Sequence, residues 1–328
     1  MKTNQQSPRR RLRYAALAVV AVIALASCSD KGSDGDVSTG KGGSGTSGTA
    51  AGSGGSGSGS GSDQTIRISS QDFSEQKTLA QVYGQYLKAQ GFDVDIQDPI
   101  GTRTQVLAAL KSGKLDMEID YSGPALLELK GTPTADAEET YSALTDALKS
   151  EDLTAAEQSE AEDSDALVTL KSYADSNSLK TISDLAELDG PLTLGGAAEC
   201  AERDQCLKGY NGEKYALGLK FKVVDYGPPL VEALKADEIQ VAQYGTTAPE
   251  ISTGEIVVLD DDKGLLPAAN VVPVVRSEVS SDKLTKALDT VSAKLTTKDL
   301  AEWNQATDVK KEDPADVAET WLKDNGLL

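Results

Sequence analysis

The chain has 328 residues and carries 32 Lys and Arg against 52 Asp and Glu, a formal net charge of −20 at pH 7. Such an acidic chain argues against binding to nucleic acid or to anionic lipid, because both carry the same sign of charge. The chain has no histidine and only three cysteines, which leaves few ligands for a zinc site. We therefore expect no metal or other cofactor.

The first 28 residues have the pattern of an export signal. An arginine cluster at positions 9–13 precedes the apolar run 14–26, which is too short to span a bilayer but suits a signal peptide. The run ends in "LASC", which resembles a bacterial lipobox and implies cleavage before Cys28 and a lipid on its sulfur. An ordinary secretory peptide with a chance cysteine is the alternative.

Residues 29–62 are dominated by Gly and Ser and contain almost nothing apolar. This composition predicts a disordered tether, because such a chain cannot bury enough surface to become ordered. The remaining body, residues 63–328, is long enough for one large domain or two lobes.

Two further cysteines, Cys200 and Cys206, lie close together in "ECAERDQC". In an oxidising exterior compartment two cysteines at this spacing most often pair, so we predict a disulfide that fixes a local turn. A metal site at this pair would lack further ligands, since the chain holds no histidine.

The body begins with a regular alternation of strands and helices over residues 66–121. Apolar residues recur at helical spacing between short apolar runs, and glycines end the helices. This order predicts parallel strands joined by right-handed crossovers, with ligands bound beyond the carboxyl ends of the strands. The third strand, "MEIDY", ends in Tyr121 at such a position.

One unit of sequence occurs twice. "ALKSGKLDMEIDYSG" at 109–123 aligns with "ALKADEIQVAQYGTT" at 233–247, and Thr246 matches Ser122. Each copy is a helix end, a turn, a strand and then an aromatic residue with small hydroxylated neighbours. The repeat favours two similar lobes that face one another, although convergence of helix-turn-strand elements is the alternative.

Two apolar extended segments bracket the second set of elements. "ALVTL" at 166–170 and "NVVPVV" at 270–275 are suited to cross between two lobes as a hinge, and hinged lobes commonly close around a small ligand. The predicted boundaries are 63–165 plus 271–328 for lobe I and 166–270 for lobe II.

The body resembles a known family through six fragments in a shared order. They are "SSQDFSEQ", "GTRTQVLAALKSGKLDMEIDYSG", "AEDSDALVTL", "TISDLAELDGPLTLGG", "GPPLVEALKADEIQVAQYGTTAPEI" and "KEDPADVAETWLKDNGLL". Together they resemble the substrate-binding proteins of glycine betaine/carnitine/choline (osmoprotectant) ABC importers. The resemblance implies an α/β fold of the two-lobed periplasmic-binding-protein type II class.

The resemblance also implies an aromatic cage around a quaternary ammonium group. Tyr121 matches a cage tyrosine, with a structural role as the alternative. The second cage tyrosine of the family falls on Asp165, which can answer a cation by charge or cap a turn. The aromatic residue of the second lobe aligns with Gly245, whereas this chain has Tyr244 one position earlier. Tyr226, in a preceding loop, is another source of a ring.

Polar contacts carry over from the family more directly. Helix starts and Arg103 can hold a ligand carboxylate, and Glu199 can meet a cation, although both charges can also be solvated surface groups. Phe73 is expected to anchor its loop rather than to form a cage wall, and Pro124 replaces a family threonine. The other predicted contacts are Gln71, Ser74, Thr102 and Thr246.

We expect a binding component that captures a small zwitterion or cation and delivers it to an ABC permease driven by a cytoplasmic ATPase. It is expected to be a monomer on the outer face of the cell membrane, held by the lipid anchor alone. A lipoprotein sensor or adhesin, or a binding protein for a ligand without quaternary nitrogen, is the alternative. An enzyme is not expected, because no nucleophile–base pair accompanies Asp163 and Asp165.

Overall fold

The structure, a computed structural model, describes residues 65–328. The proposed signal peptide, the lipidation site Cys28 and the Gly/Ser tether lie outside the described residues. Within residues 65–328, no helix combines the length and the apolar character that crossing a membrane requires.

The first part of the body has the predicted alternation. Its elements are β1 (Ile66–Ile68), α1 (Ser74–Ala89), β2 (Val94–Ile96), α2 (Arg103–Lys111) and β3 (Met117–Tyr121). Gly84 of α1 faces β2, and a Cβ on it would lie 2.5 Å from Ile96 Cδ1. Glycine therefore allows α1 to lie close against the sheet.

The middle of the chain continues with short elements. They are α3 (Ser122–Glu128), α4 (Ala137–Lys149), β4 (Leu153–Ala155), β5 (Asp165–Leu170), α5 (Lys171–Asn177), β6 (Thr193–Gly196), α6 (Leu207–Asn211), β7 (Lys220–Val223), α7 (Pro228–Lys235), β8 (Val241–Gly245), α8 (Pro249–Ser252) and β9 (Ile256–Leu259). Single 3-10 turns lie at Ser183–Glu187 and Ala198–Glu202.

The last part returns to the first sheet. It consists of β10 (Val271–Arg276), α9 (Asp282–Ser292), α10 (Thr297–Asn304), a π-helical turn at Gln305–Val309 and α11 (Pro314–Asp324). Trp303 and Trp321 lie edge to face, 5.5 Å between ring centroids, and both are buried in the core beneath the first sheet. Their helical spacing predicts this core position.

Residues 65–328 form two five-stranded sheets. The first has the order β2-β1-β3-β10-β4 and the second β7-β6-β8-β5-β9. In each, a helix-linked set of parallel strands is followed by one antiparallel strand, β10 in the first and β5 in the second. The predicted α/β alternation with parallel pairing is confirmed. The exact lobe boundaries stay a prediction.

Candidate ligand site

Hydrogen bonds connect elements of the two sheets near the carboxyl ends of their strands. Asn304, at the end of α10, donates from Nδ2 to the carbonyl oxygen of Thr247 in the turn after β8, at 2.9 Å. The Thr247 hydroxyl donates to Oδ1 of Asp163, just before β5, at 3.0 Å. These contacts bring the tip of the second sheet beside the helices of the first, where a ligand site is expected.

Tyr121 ends β3 and lies at the base of this region. Its side chain is 2 % exposed and belongs to the core of the first sheet, and its hydroxyl donates to Glu75 Oε1 at 2.5 Å. Burial and the charge of Glu75 hold the pKa of Tyr121 well above its ordinary value. The hydroxyl therefore stays protonated and remains a hydrogen-bond donor.

Glu75, in the first turn of α1, is itself only 3 % exposed. Its second oxygen, Oε2, accepts a hydrogen bond from Asn304 Nδ2 at 2.5 Å. Burial, and then the charge of Asp163, raise the pKa of Glu75 to about 7, while its hydrogen bonds oppose the rise. Burial also raises the pKa of Asp163. The region therefore brings together a buried and a half-buried carboxyl group, each with a raised pKa.

A second polar cluster lies on the other face of β3. Arg103 Nε donates to both carboxylate oxygens of Asp120, at 2.9 and 3.0 Å, and Asp120 is buried. Gln71 Nε2 donates to the same carboxylate at 3.3 Å, and the backbone N–H of Tyr121 does so at 2.8 Å. The structure thus brings the predicted contacts Gln71 and Arg103 together around Asp120, next to Tyr121 in the chain.

The second sheet contributes a pair of stacked rings. Tyr226 and Tyr244 lie 4.8 Å apart with an interplanar angle of 20°, but Tyr226 is 61 % exposed and Tyr244 only 1 %. Tyr244 lies in the core with Val168 and Leu230, because successive strand residues point to opposite faces. A Cβ on Gly245 would lie 3.1 Å from the Tyr226 hydroxyl. Tyr226 therefore occupies the space beside Gly245, and Tyr244 supports it from behind.

A comparison of this sequence with known protein families agrees with the arrangement of strand tips, aromatic rings and charges. A profile described as the "Substrate binding domain of ABC-type glycine betaine transport system" matches residues 64–324. The chain belongs to this family. It is a solute-binding component of a transport system and not an enzyme.

Relatives and solved structures agree with the family. The glycine-betaine-binding protein of Pseudomonas aeruginosa is 26% identical over 280 residues, which is 81% of this chain and 89% of that protein. The crystal structure titled glycine betaine/carnitine/choline ABC transporter is similar with a TM-score of 0.74 at 23% identity, over 80% of this chain and 99% of that one. Apo YehZ from Escherichia coli gives 0.72 at 22% identity, over the same shares. These similarities confirm the type II binding-protein fold.

The carboxylate of Asp165 already has a partner within this betaine-transport binding domain. Its carboxylate pairs with the guanidinium of Arg203, which lies between Cys200 and Cys206. These two cysteines are joined in a disulfide, as the sequence predicts. Glu199, just before the disulfide, is exposed to solvent. The structure therefore places Asp165 in an ion pair and Glu199 on the surface, which favours the structural alternatives for both.

The remaining predicted contacts are scattered around the site. Phe73 is 39 % exposed, so the expectation that it is a buried loop anchor is wrong. Ser74 begins α1, and Thr102 is an exposed residue that precedes α2. The Thr246 hydroxyl donates to the Glu162 carbonyl oxygen at 3.0 Å and accepts from a neighbouring backbone N–H, so it is occupied by the segment that enters β5.

Three residues of the site were missed from the sequence: Glu75, Asn304, and Asp163 as part of a binding region. An acid in the first turn of a helix is ordinarily explained by the helix dipole, which hides the burial of Glu75. Asn304 is distant in sequence and gives no local signal. The one available sign was the fragment "SSQDFSEQ", which places Glu75 directly after a strand–helix loop.

Asp165 and Thr246 also line a separate cavity of about 230 Å³. Its wall contains the further carboxylates of Glu162, Asp260 and Asp261 together with Leu266 and Pro267. Across residues 65–328, no group of three or more cysteines and carboxylates has the geometry to hold a metal ion. The cavity is acidic, and none of its lining residues makes the contacts described above around Tyr121.

Proposed function

We propose that this chain captures a small betaine-type or other quaternary-ammonium solute between its two lobes and delivers it to an ABC permease driven by a separate ATPase. The lobes are residues 63–165 plus 271–328 and residues 166–270, and they close on the solute about the crossings near residues 166 and 270. The protein acts as a monomer.

The observation that carries this proposal is that the tips of the two sheets present aromatic rings, with a carboxyl group on the segment between them. The first sheet supplies the ring of Tyr121 and the second supplies the exposed ring of Tyr226. Asp163, on the segment between them, adds a half-buried carboxyl group. A methylated cation cannot donate a hydrogen bond, so ring faces and nearby negative charge replace its hydration.

Arg103 supports recognition of the carboxylate of a betaine. Its bonds to Asp120 run through Nε, and its two terminal nitrogens make no hydrogen bond with residues 65–328. Asp120 therefore orients a guanidinium whose outer N–H groups remain available to a carboxylate. Choline, which has no carboxylate, would not use this contact.

The names of relatives agree with this ligand class. The Pseudomonas aeruginosa relative is named a glycine-betaine-binding protein, and a carnitine transport binding protein from Listeria monocytogenes is 26% identical over 165 residues, 49% of this chain. Asp165 and Pro124 stand where the family has a tyrosine and a threonine. This incomplete cage favours testing ligands without quaternary nitrogen as well.

Calorimetry of the full chain against glycine betaine, carnitine, choline and proline tests the proposal. We expect saturable binding of at least one quaternary amine and weaker binding of proline, whose secondary ammonium is better hydrated. If proline alone binds, the ligand class is the alternative one, ligands without quaternary nitrogen. No binding of any of the four would contradict the proposed ligand.

The membrane attachment rests on the lipobox at Cys28 and on the tether that follows. Cys28→Ser should release the protein from the membrane fraction into the extracytoplasmic fluid. Unchanged retention in a fractionation assay would contradict the lipid anchor and leave the ligand proposal intact.

A further inference from the structure

Glu75 is a buried acid whose hydrogen bonds suit its ionised form. Oε1 accepts from the hydroxyl of Tyr121 and Oε2 accepts from Asn304, each at 2.5 Å. Hydrogen bonds from donors to both oxygens favour the carboxylate over the protonated acid, because an ionised oxygen is the stronger acceptor. Protonation of Glu75 therefore weakens its hold on Tyr121 and Asn304.

The same carboxylate is connected to the second sheet. Asn304 Nδ2 also donates to the Thr247 carbonyl oxygen, and the Thr247 hydroxyl donates to Asp163. Two carboxyl groups, those of Glu75 and Asp163, thus share one hydrogen-bonded network. Arg103, the cation whose charge acts on Asp163, is itself paired with Asp120. A further positive charge beside this network is therefore electrostatically favourable.

We propose that Glu75 is a positioning residue that couples solute charge to a proton: its ionised carboxylate fixes Tyr121 and attracts a permanent cation held against that ring, so that binding such a cation expels a proton from Glu75. The inference rests on the proposed function, because it requires the ring of Tyr121 to face the solute. Glu75 acts through Tyr121 and through charge rather than by direct contact.

The distances are short enough for this coupling. A cation over an aromatic ring lies within about 6 Å of the ring centroid, and the Glu75 carboxylate lies one hydrogen bond beyond the hydroxyl of the same ring. Both groups are shielded from water. In such surroundings charges interact more strongly than at the surface. The ionised form of Glu75 is therefore favoured when the cation is present.

Among the charged groups on the elements packed around α1, Asp163 is the acid whose charge acts on Glu75. Asp163 faces it from the segment before β5 and Tyr121 from β3. On α9, Asp289 faces Tyr83 instead, and on α10 Asp299 caps its own helix. On α11, Glu319 pairs with Lys323.

The sign of the pH dependence follows from these contacts. The pKa of Glu75 is raised to about 7 without ligand, so the group is partly protonated at neutral pH. A permanent cation lowers this pKa, which means that binding releases protons and that affinity rises with pH. We expect about five- to tenfold tighter binding at pH 8 than at pH 6 and release of close to half a proton at pH 7.

The test is calorimetry of the full chain with choline and glycine betaine in phosphate and in Tris, whose ionisation enthalpies differ. Neither probe titrates between pH 6 and 8, so a buffer-dependent heat reports a proton from the protein. Glu75→Gln should abolish the buffer dependence and flatten the pH profile. Tyr83 lies further along α1, and Tyr83→Phe removes its buried hydrogen bond to Ser292 of α9. This control variant should keep the wild-type profile.

The outcomes separate this inference from the proposed function. Absence of binding of choline, glycine betaine and carnitine at every pH contradicts the proposed quaternary-ammonium ligand itself. If a probe binds with equal heats in both buffers and with a Kd that does not change with pH, the role of Glu75 is overturned and the proposed function stands. The wild-type protein is sufficient for this measurement. Proton release that persists in Glu75→Gln but disappears in Asp163→Asn assigns the proton to Asp163 and also overturns it.

Discussion

Tyr121 and Tyr226 lie at the tips of different sheets and are held in opposite ways. Tyr121 is enclosed in the core of the first sheet, and its hydroxyl is fixed by Glu75. Tyr226 belongs to a loop, is largely exposed, and rests on one neighbouring ring, that of Tyr244. Enclosure of Tyr121 means that covering groups must move before a solute reaches its face.

The difference shows how one binding region can combine a fixed surface with an adaptable one. Removing a core tyrosine changes stability and binding together, whereas removing an exposed tyrosine changes binding with little effect on the fold. Variants at the two positions should therefore differ in the ratio of these effects.

The largest effect is expected for Tyr121→Ala. Loss of a large buried ring should lower the free energy of unfolding by about 3–5 kcal/mol, and loss of a cage wall should weaken quaternary-amine binding by roughly one to two orders of magnitude. Tyr121→Phe, which keeps the ring, should lose much less affinity. Denaturant titration and calorimetry separate the two effects. Wild-type affinity in Tyr121→Ala would exclude a cage role.

The next effect concerns the carboxylate of the solute. Arg103→Met combined with Asp120→Asn removes the guanidinium without leaving a buried unpaired charge. Loss of a charge-assisted contact of about 1.5–3 kcal/mol should weaken glycine betaine binding by about tenfold or more. Choline affinity, measured by the same calorimetry, should change by less than about threefold. Equal losses for both ligands would show that Arg103 does not select the carboxylate.

Tyr226→Ala should have a smaller effect of the other kind. An exposed cation–π contact contributes about 0.5–1 kcal/mol, so affinity should fall by about twofold to fivefold. Loss of the stack on Tyr244 should lower the free energy of unfolding by about 1 kcal/mol. A loss of stability as large as that of Tyr121→Ala would remove the distinction between the two rings. Thermal melts and titrations of both variants, run together, make the comparison.

The last comparison concerns the opposite face of β3 and separates a pH effect on stability from an effect on binding. Glu118 is buried there, and burial together with the charge of Asp120 raises its pKa well above the ordinary value. The unfolded chain ionises at a lower pH than the fold, so stability contributed by this group is lost as pH rises above about 4.5, with a slope of at most about 1.4 kcal/mol per pH unit.

Glu118→Gln should therefore flatten the decline of stability with pH, measured by urea titrations from pH 5 to 8. Choline affinity should stay unchanged, since Glu118 faces away from Tyr121 and choline does not use Arg103. An unaltered pH profile of stability would show that Glu118 does not ionise differently in the folded chain.

The alternation of strands and helices, the parallel pairing and the disulfide were accessible from the sequence, because each depends on local periodicity or spacing. That Tyr244 lies on the opposite face of β8 from Gly245 was also accessible, since a one-residue shift reverses the face of a strand residue. The link from Glu75 to Asn304 was not, because it joins residues 229 positions apart. Nor was the exposure of Phe73, which depends on how the loop meets the rest of the fold.

The glycine at the tip of β8 limits how this binding region can evolve. A Cβ on Gly245 would lie 3.1 Å from the hydroxyl of Tyr226, closer than an ordinary van der Waals contact. A large residue at 245 would therefore displace the Tyr226 ring from its present position, so the choice of residue at the strand tip and the placement of the loop ring are not independent.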